Sequence, residues 1–327
     1  MNPQRATHFT TALRFTFRIA VGLALAVASA AAQPETPRAE TAIRMGFSSA
    51  IFIGYNADDV RQSVKIISDT FTQEHGINAD TTPYIYDNAD EAARVLEQRE
   101  IGGVNMTLSE YWLIRHRAGL DLFCTYIRNH SSGESYVLLV REGGPVKALA
   151  DLKGKRLTLF SHPSMDLATS WLDVELAKAE LPATTKLLHD ISTSNKPAKA
   201  VLPVFFGQVD ACLTTRRSYD TMVELNPQVG RQLRILAASP AYIPILYGFR
   251  SDLTPEIKKK AIESLTSMHQ TVSGLQTLSL FQIDQIAECP ASDFAPSLAL
   301  LDEHARLYPK TASAAVPTPP VVVTPSP

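Results

Sequence analysis

The residues best placed for chemistry are in the run Ser161-His162-Pro163-Ser164-Met165-Asp166, which follows the strand-like stretch Leu157-Thr158-Leu159-Phe160. Hydroxyls and backbone N–H groups where a strand empties into a helix hold anions. A carboxylate at the same place favours the helix start or meets an amine, and His162 with Asp166 could serve acid–base chemistry. Other residues stand at predicted strand ends: Ser48, Ser49, Tyr86, Asn105, Met106, Thr107, Asn195, Thr214, Thr215 and Tyr242. Each also has a plainer role. Ser48 and Ser49 shape a turn, Thr107, Ser164 and Asn195 cap helices, and Tyr86 and Tyr242 fill a half-buried core. Lys196 and Arg216-Arg217 are candidate positive charges for an anion, although such side chains are usually solvated.

Catalytic patterns are otherwise missing. His75, His116, His130, His162, His189, His269 and His304 are scattered, with no His-Glu-x-x-His and no Cys/His pair at zinc-ligand spacing. There is no Gly-x-Ser-x-Gly nucleophile elbow and no phosphate-cradling Gly-rich loop, and Gly143-Gly144 precedes Pro145 in a turn. No catalytic residue, metal or cofactor is therefore assigned. The net charge of -2 gives no footing for a nucleic-acid partner. Three cysteines, Cys124, Cys212 and Cys289, allow one disulfide at most, and the apolar surroundings of Cys124 and Cys212 suit core packing.

Strands alternating with helices must position these residues. Ile43 to Phe47, Thr82 to Tyr86 and Gly103 to Met106 read as strands, and Val60, Val64, Ile67 and Phe71 recur at helical spacing, with Gly76 closing that helix. Asn88-Ala89-Asp90-Glu91 has the pattern of a capping box. A second series runs through Tyr136 to Val140, Leu157 to Phe160, a helix with Leu167, Ser170, Trp171 and Val174 on one face, and Val209 to Leu213. Leu233 to Ala237 and Ile245 to Phe249 are further strands, and Thr254-Pro255-Glu256 opens a long helix. This alternation predicts an α/β fold with largely parallel sheets, arranged as two lobes with a cleft between them.

The ends read differently. Arg14 to Arg18 followed by Ile19 to Ala32 has the form of a secretory signal peptide over residues 1–32. Its apolar run of about 14 residues falls short of the roughly 20 that span a membrane. Its removal takes Arg5, Arg14 and Arg18, leaving 28 basic against 33 acidic side chains, a net charge of -5. Residues 310–327 are Pro-rich and uncharged after Lys310, which predicts a disordered tail. Residues 33–41 have a similar character.

The opening strand and turn, the Gly103 to Tyr111 segment, Asp151-Leu152-Lys153-Gly154-Lys155-Arg156-Leu157-Thr158-Leu159 and Phe206-Gly207-Gln208-Val209-Asp210-Ala211-Cys212 together resemble phosphonate-type periplasmic solute-binding proteins of ABC transporters. The likeness spans residues 42–309. It implies the two-lobed type II periplasmic-binding architecture, with residues 42–127 and 237–309 in lobe 1 and 128–236 in lobe 2. The hinge crossings would lie near 127–136 and 214–236. It also implies a periplasmic, non-enzymatic, monomeric protein that captures a small polar ligand by hinge closure and delivers it to an ABC permease. A membrane histidine kinase or chemoreceptor is the alternative partner. The ligand-binding residues implied are Ser48, Ser49, Tyr86, Asn105, Thr107, Ser161, Ser164, Met165, Asp166, Asn195, Thr214 and Tyr242. One departure stands out. Family members carry further hydroxyls where this chain has Met165 and Asp166, and a ligand-contacting His where it has Ser194-Asn195-Lys196. A carboxylate repels a bound dianion, so Asp166 argues against phosphonate itself. It meets an amine on the ligand or caps the following helix.

Overall fold

The computed structural model describes residues 43–73 and 79–309. The predicted leader at 1–32, the segment 33–41, the helix-closing Gly76 and the tail at 310–327 lie outside the described residues. The chain opens with β1 (Ile43–Ser48), a 3-10 turn (Ser49–Phe52), α1 (Ala57–Gln73), β2 (Ala79–Tyr86), α2 (Ala89–Glu97), β3 (Gly103–Thr107), α3 (Leu108–Ile114) and β4 (Leu120–Ile127). It crosses into a second lobe made of β5 (Glu134–Arg141), β6 (Arg156–Phe160), α4 (Ala168–Lys178), α5 (Thr184–Leu187), β7 (Asp190–Ser194), α6 (Pro197–Phe205), β8 (Ala211–Thr215), α7 (Arg216–Leu225), α8 (Pro227–Gln232) and β9 (Leu233–Tyr242). It returns through β10 (Ile245–Arg250), α9 (Pro255–Ser267), α10 (Val272–Leu280), β11 (Gln285–Glu288) and α11 (Ala295–Leu307).

Each lobe is built on one sheet. The first has strand order β11-β4-β10-β3-β1-β2 and the second β7-β6-β8-β5-β9. The βα units pair in parallel, β1 with β2 and β3, and β6 with β7 and β8. The sheets are nevertheless mixed rather than largely parallel. β10 runs antiparallel to β3 and β4, and β5 antiparallel to β8 and β9. A parallel neighbour needs a crossover helix, whereas β5 and β10 enter their sheets directly from the other lobe.

The first crossing lies between Ile127 and Glu134, the second between Tyr242 and Ile245. The second comes later than the sequence suggested, because β9 stays on β5 from Leu233 as far as Tyr242. Ser239-Pro240 looks like a turn, but β9 is an edge strand, where a Pro lacking its N–H is tolerated. At the irregularity there, Tyr136 N donates to Ser239 Oγ at 2.7 Å.

Burial follows the predicted faces. Val60 and Val64 of α1 pack with Phe47, Tyr247, Phe249 and Leu265 in the first lobe. Trp171 and Val174 of α4 join Tyr136, Leu138, Val204 and Leu213 in the second. The three cysteines are unpaired and buried. Burial raises their thiols, Cys124 to about 12 and Cys289 to about 11, which keeps them protonated and inert. Asn88 and Thr254 cap α2 and α9 as their sequences imply. Asn195 does not cap α6, whose first turn follows Lys196 with no side-chain bond. α11 ties the lobes together: Asp302 accepts from Trp112 Nε1 (2.8 Å) and Arg115 Nη2 (2.6 Å) of α3, while His304 meets Asp173 of α4 at 3.1 Å.

Candidate ligand-binding site

Two strand ends of the first lobe converge on one carboxylate. Thr107, the last residue of β3, caps α3 by accepting Glu110 N, and Glu110 reaches back to Thr107 N at 3.1 Å, a reciprocal capping box. The other Glu110 oxygen accepts from Ser48 Oγ at 2.6 Å, so the ends of β1 and β3 are pinned together. Burial raises the Glu110 pKa against the lowering effect of these bonds.

The second lobe reaches across to the same place. Asp166 does not cap α4, whose N-cap position is Leu167, with no side-chain cap. Its Oδ2 accepts the backbone N–H of Ser109, in the first turn of α3, at 3.0 Å. Loss of water around the carboxylate pushes Asp166 up to about 7, with Glu110 adding to the rise and the Ser109 and Thr107 groups opposing it. Asp166 is thus a cross-lobe bond rather than a local cap. Beside it, His162 Nδ1 accepts from Ser164 N at 3.1 Å and lies 2.7 Å from Ser164 Oγ. The imidazole stacks on Phe160 with ring centroids 5.4 Å apart. Desolvation, then the charges of Arg128 and Arg217, depress it to about 3, so the ring is neutral at physiological pH. His162 and Asp166 make no contact with each other that would support acid–base work.

A narrow cavity opens behind this seam, roofed by Pro163 of the second lobe and walled by the first, with room in this arrangement for little more than a water molecule. Phe52, Tyr55, Tyr126, Tyr247 and Phe281 supply most of its aromatic surface. Tyr55 meets Phe281 edge-on at 5.0 Å, and Tyr126 meets Tyr247 at 5.7 Å. Asn105 lies in the wall, its Nδ2 donating to Leu246 O at 2.9 Å and its Oδ1 accepting from Tyr126. Arg128, at the first crossing, is the charged residue of the lining. Its Nε donates to Gln282 O at 3.1 Å and its guanidinium lies 5.1 Å from the Tyr126 ring centroid.

The predicted site residues are thus distributed unevenly. Asn105 lines the cavity. Ser48 and Thr107 join through Glu110, and Asp166 comes to them from the other lobe. Ser49 begins the 3-10 turn whose Ile51 and Phe52 line the cavity. Ser164 and Met165 are buried, Ser164 bonded to His162, and Ser161 is half-buried with its N–H on Ser194 O. Asn195 is exposed and faces Gly54 of the first lobe, where an added Cβ would stand 3.5 Å from the Asn195 Cβ. Thr214 is fully buried with no hydrogen-bond partner for its Oγ1. Tyr86 sits in the core, donating to Asn105 O at 3.2 Å. Tyr242 belongs to the second sheet and stacks on Tyr136 at 6.3 Å, apart from the cavity lining. Sequence reasoning missed Arg128, Tyr55 and the remaining aromatics. The only signal was a lone charge closing the apolar strand Leu122 to Ile127.

Two α/β lobes, joined by two crossings and meeting at their strand ends, give the type II periplasmic-binding architecture. The chain belongs to the family described as "ABC transporter, phosphonate, periplasmic substrate-binding protein", whose profile matches residues 50–294. That is a family of binding proteins rather than enzymes. Among solved structures, a Xanthomonas citri protein bound to ATP superposes with a TM-score of 0.60 at 14% identity, covering 82% of this chain and 98% of that one. PhnD1 of Prochlorococcus marinus in complex with methylphosphonate gives 0.56 at 14% identity, over 82% and 98%. The binding-protein component of a Pseudomonas aeruginosa ABC phosphonate transporter gives 0.51 at 15%, over 83% and 98%. No curated protein matches the chain. Among the described residues no helix is long and apolar enough to cross a membrane, and no cluster of His, Cys, Asp and Glu has metal-binding geometry.

Proposed function

We propose that this protein, exported through the leader at 1–32, captures a small solute between its lobes and presents the closed form to an ABC permease. The observation that carries this reading is the cavity at the lobe junction, with Pro163 from one lobe over Asn105, Tyr126 and Arg128 of the other and its crossing. The ligand enters while the lobes are apart. Closure then places Pro163 over it and forms the Asp166–Ser109 bond at the seam. Asn105 touches the solute; Ser48, Thr107 and Asp166 form the seam beside the cavity, and Ser49, Ser161, Ser164, Met165, Asn195 and Thr214 stand outside its lining. Micromolar capture needs about -8 kcal/mol, within reach of one charged contact and aromatic burial.

A melting-temperature screen of the purified protein against phosphorus oxyanions, sulfonates, carboxylates, amino acids and polyamines tests this. At a hundredfold excess over its dissociation constant, a bound solute stabilises the native state by about 2.7 kcal/mol. One chemical class is expected to shift the transition. Ser164→Ala and Thr214→Ala are expected to weaken binding of that solute, and unchanged affinity in both would leave Pro163 as the second lobe's part of the site.

A further inference from the structure

Resting on that reading, we infer that the cavity takes a monoanion with a compact, flat apolar body, its acidic group on Arg128 and its body among Phe52, Tyr55 and Phe281.

Charge comes first. Arg128 is 8% exposed, and no carboxylate among the described residues forms an ion pair with it. The nearest acid by charge, Glu134, is held by Arg217 Nη2 at 2.7 Å. A guanidinium does not lose its proton, and buried charges are normally paired. With Nε on Gln282 O, the terminal nitrogens of Arg128 form a fork suited to a carboxylate or sulfonate. The cavity also holds one hydroxyl with nothing to bond: Thr277 is 3% exposed and its Oγ1 has no partner among the described residues.

The remaining surface selects the body. Phe52 stands 5.9 Å from Phe281 and 6.3 Å from Phe47, and Tyr55 meets Phe281 edge-on at 5.0 Å, an aromatic cluster in mutual contact whose rings part to admit the body of the solute. Such walls favour an aromatic or alicyclic ring over a sugar. A cation is excluded by Arg128. A dianion is disfavoured because one cation faces it while Glu110 and Asp166 stand at the seam. Both acids are engaged by protein groups, so neither is a counter-charge for an amine.

The test is calorimetric titration of the purified protein at pH 7.5 with benzoate, phenylacetate and phenylmethanesulfonate, against benzyl alcohol, benzylamine and methylphosphonate. At least one aromatic monoanion is expected to bind. Benzyl alcohol, which keeps the ring and loses the charge, is expected to bind at least tenfold more weakly, a comparison that needs no variant. Arg128→Gln should weaken the monoanion tenfold or more and leave benzyl alcohol unchanged. Phe281→Leu should weaken both. If methylphosphonate or benzylamine binds and every aromatic monoanion fails, the ligand class is wrong and solute capture stands. If Arg128→Gln folds and binds the monoanion as the parent does, the assigned contact is wrong. Silence across these probes and the wider screen removes both this inference and the reading it rests on.

Discussion

Asp166 shows how one residue joins chemistry to conformation. Its carboxylate is raised to about 7 by loss of water and held to Ser109 across the seam. An unfolded Asp titrates near 4, so over the interval from about 4 to 7 the native state holds a proton that the unfolded chain has released. Stability from this group is therefore complete below about 4 and is lost as pH rises through 7. His162 runs the opposite way, its depressed value making the native state less stable as pH falls below about 6.5. The two slopes overlap, so a variant is needed to separate them. Asp166→Asn keeps an oxygen for Ser109 N and cannot ionise. Urea melts should show it indistinguishable from the parent at pH 4 and more stable by about 1–2 kcal/mol at pH 8, the shift discounted for partial solvation. Equal stability at both pH values would contradict the enclosed carboxylate. Glu110 and Tyr136 also face this carboxylate, and both are the same in the two proteins. Asp166 itself was legible as a strand-end acid, but its partner was not. Ser109 lies 57 positions away and in the other lobe, and only the closed arrangement of the two sheets brings them together.

At the scale of elements, the sequence placed most strands and helices, and its misses have physical causes. Val60 and Val64, the Asn88 and Thr254 caps, and the Trp171 face were legible because periodicity and capping are local. β9 was read as half its length because an edge strand hides Pro240, and the antiparallel members were missed because orientation depends on where a crossing enters. The cavity wall was illegible for a further reason. Tyr126 and Tyr247 look like ordinary core residues until the pairing of β4 with β10 brings them together, and Tyr55, after the 3-10 turn, and Phe281, at the end of α10, complete the wall. α10 carries Thr277 and Leu278 into that wall, and its first turn depends on Gly274. A Cβ there would lie 2.0 Å from the Met268 carbonyl oxygen, a backbone atom that cannot swing aside. Gly274→Ala is therefore expected to cost about 1–3 kcal/mol, the usual penalty of overpacking. It should also weaken solute binding, because the helix must shift to relieve the clash. Thermal melts and titration of the variant check both, and a neutral effect would mean that α10 is not packed against that carbonyl.

At the scale of the molecule, the lobes are joined by two short crossings, by α11 bonded to α3 and α4, and by the Asp166 seam. On the proposed reading, the crossings and α11 hold the lobes in both the open and the closed arrangement, while the seam forms only on closure. Arg128 stands at the first crossing, so a charge bound there acts where the hinge turns. Ionising Asp166 weakens closure, and at pH 8 the solute-free protein is expected to be more open than its Asp166→Asn variant. The most direct test of capture by closure is small-angle X-ray scattering of the purified protein at pH 7.5, alone and at saturating benzoate or methylphosphonate. The account predicts that whichever anion binds by calorimetry lowers the radius of gyration while the other leaves it unchanged. An anion that saturates the protein and leaves the scattering profile as it was would contradict it.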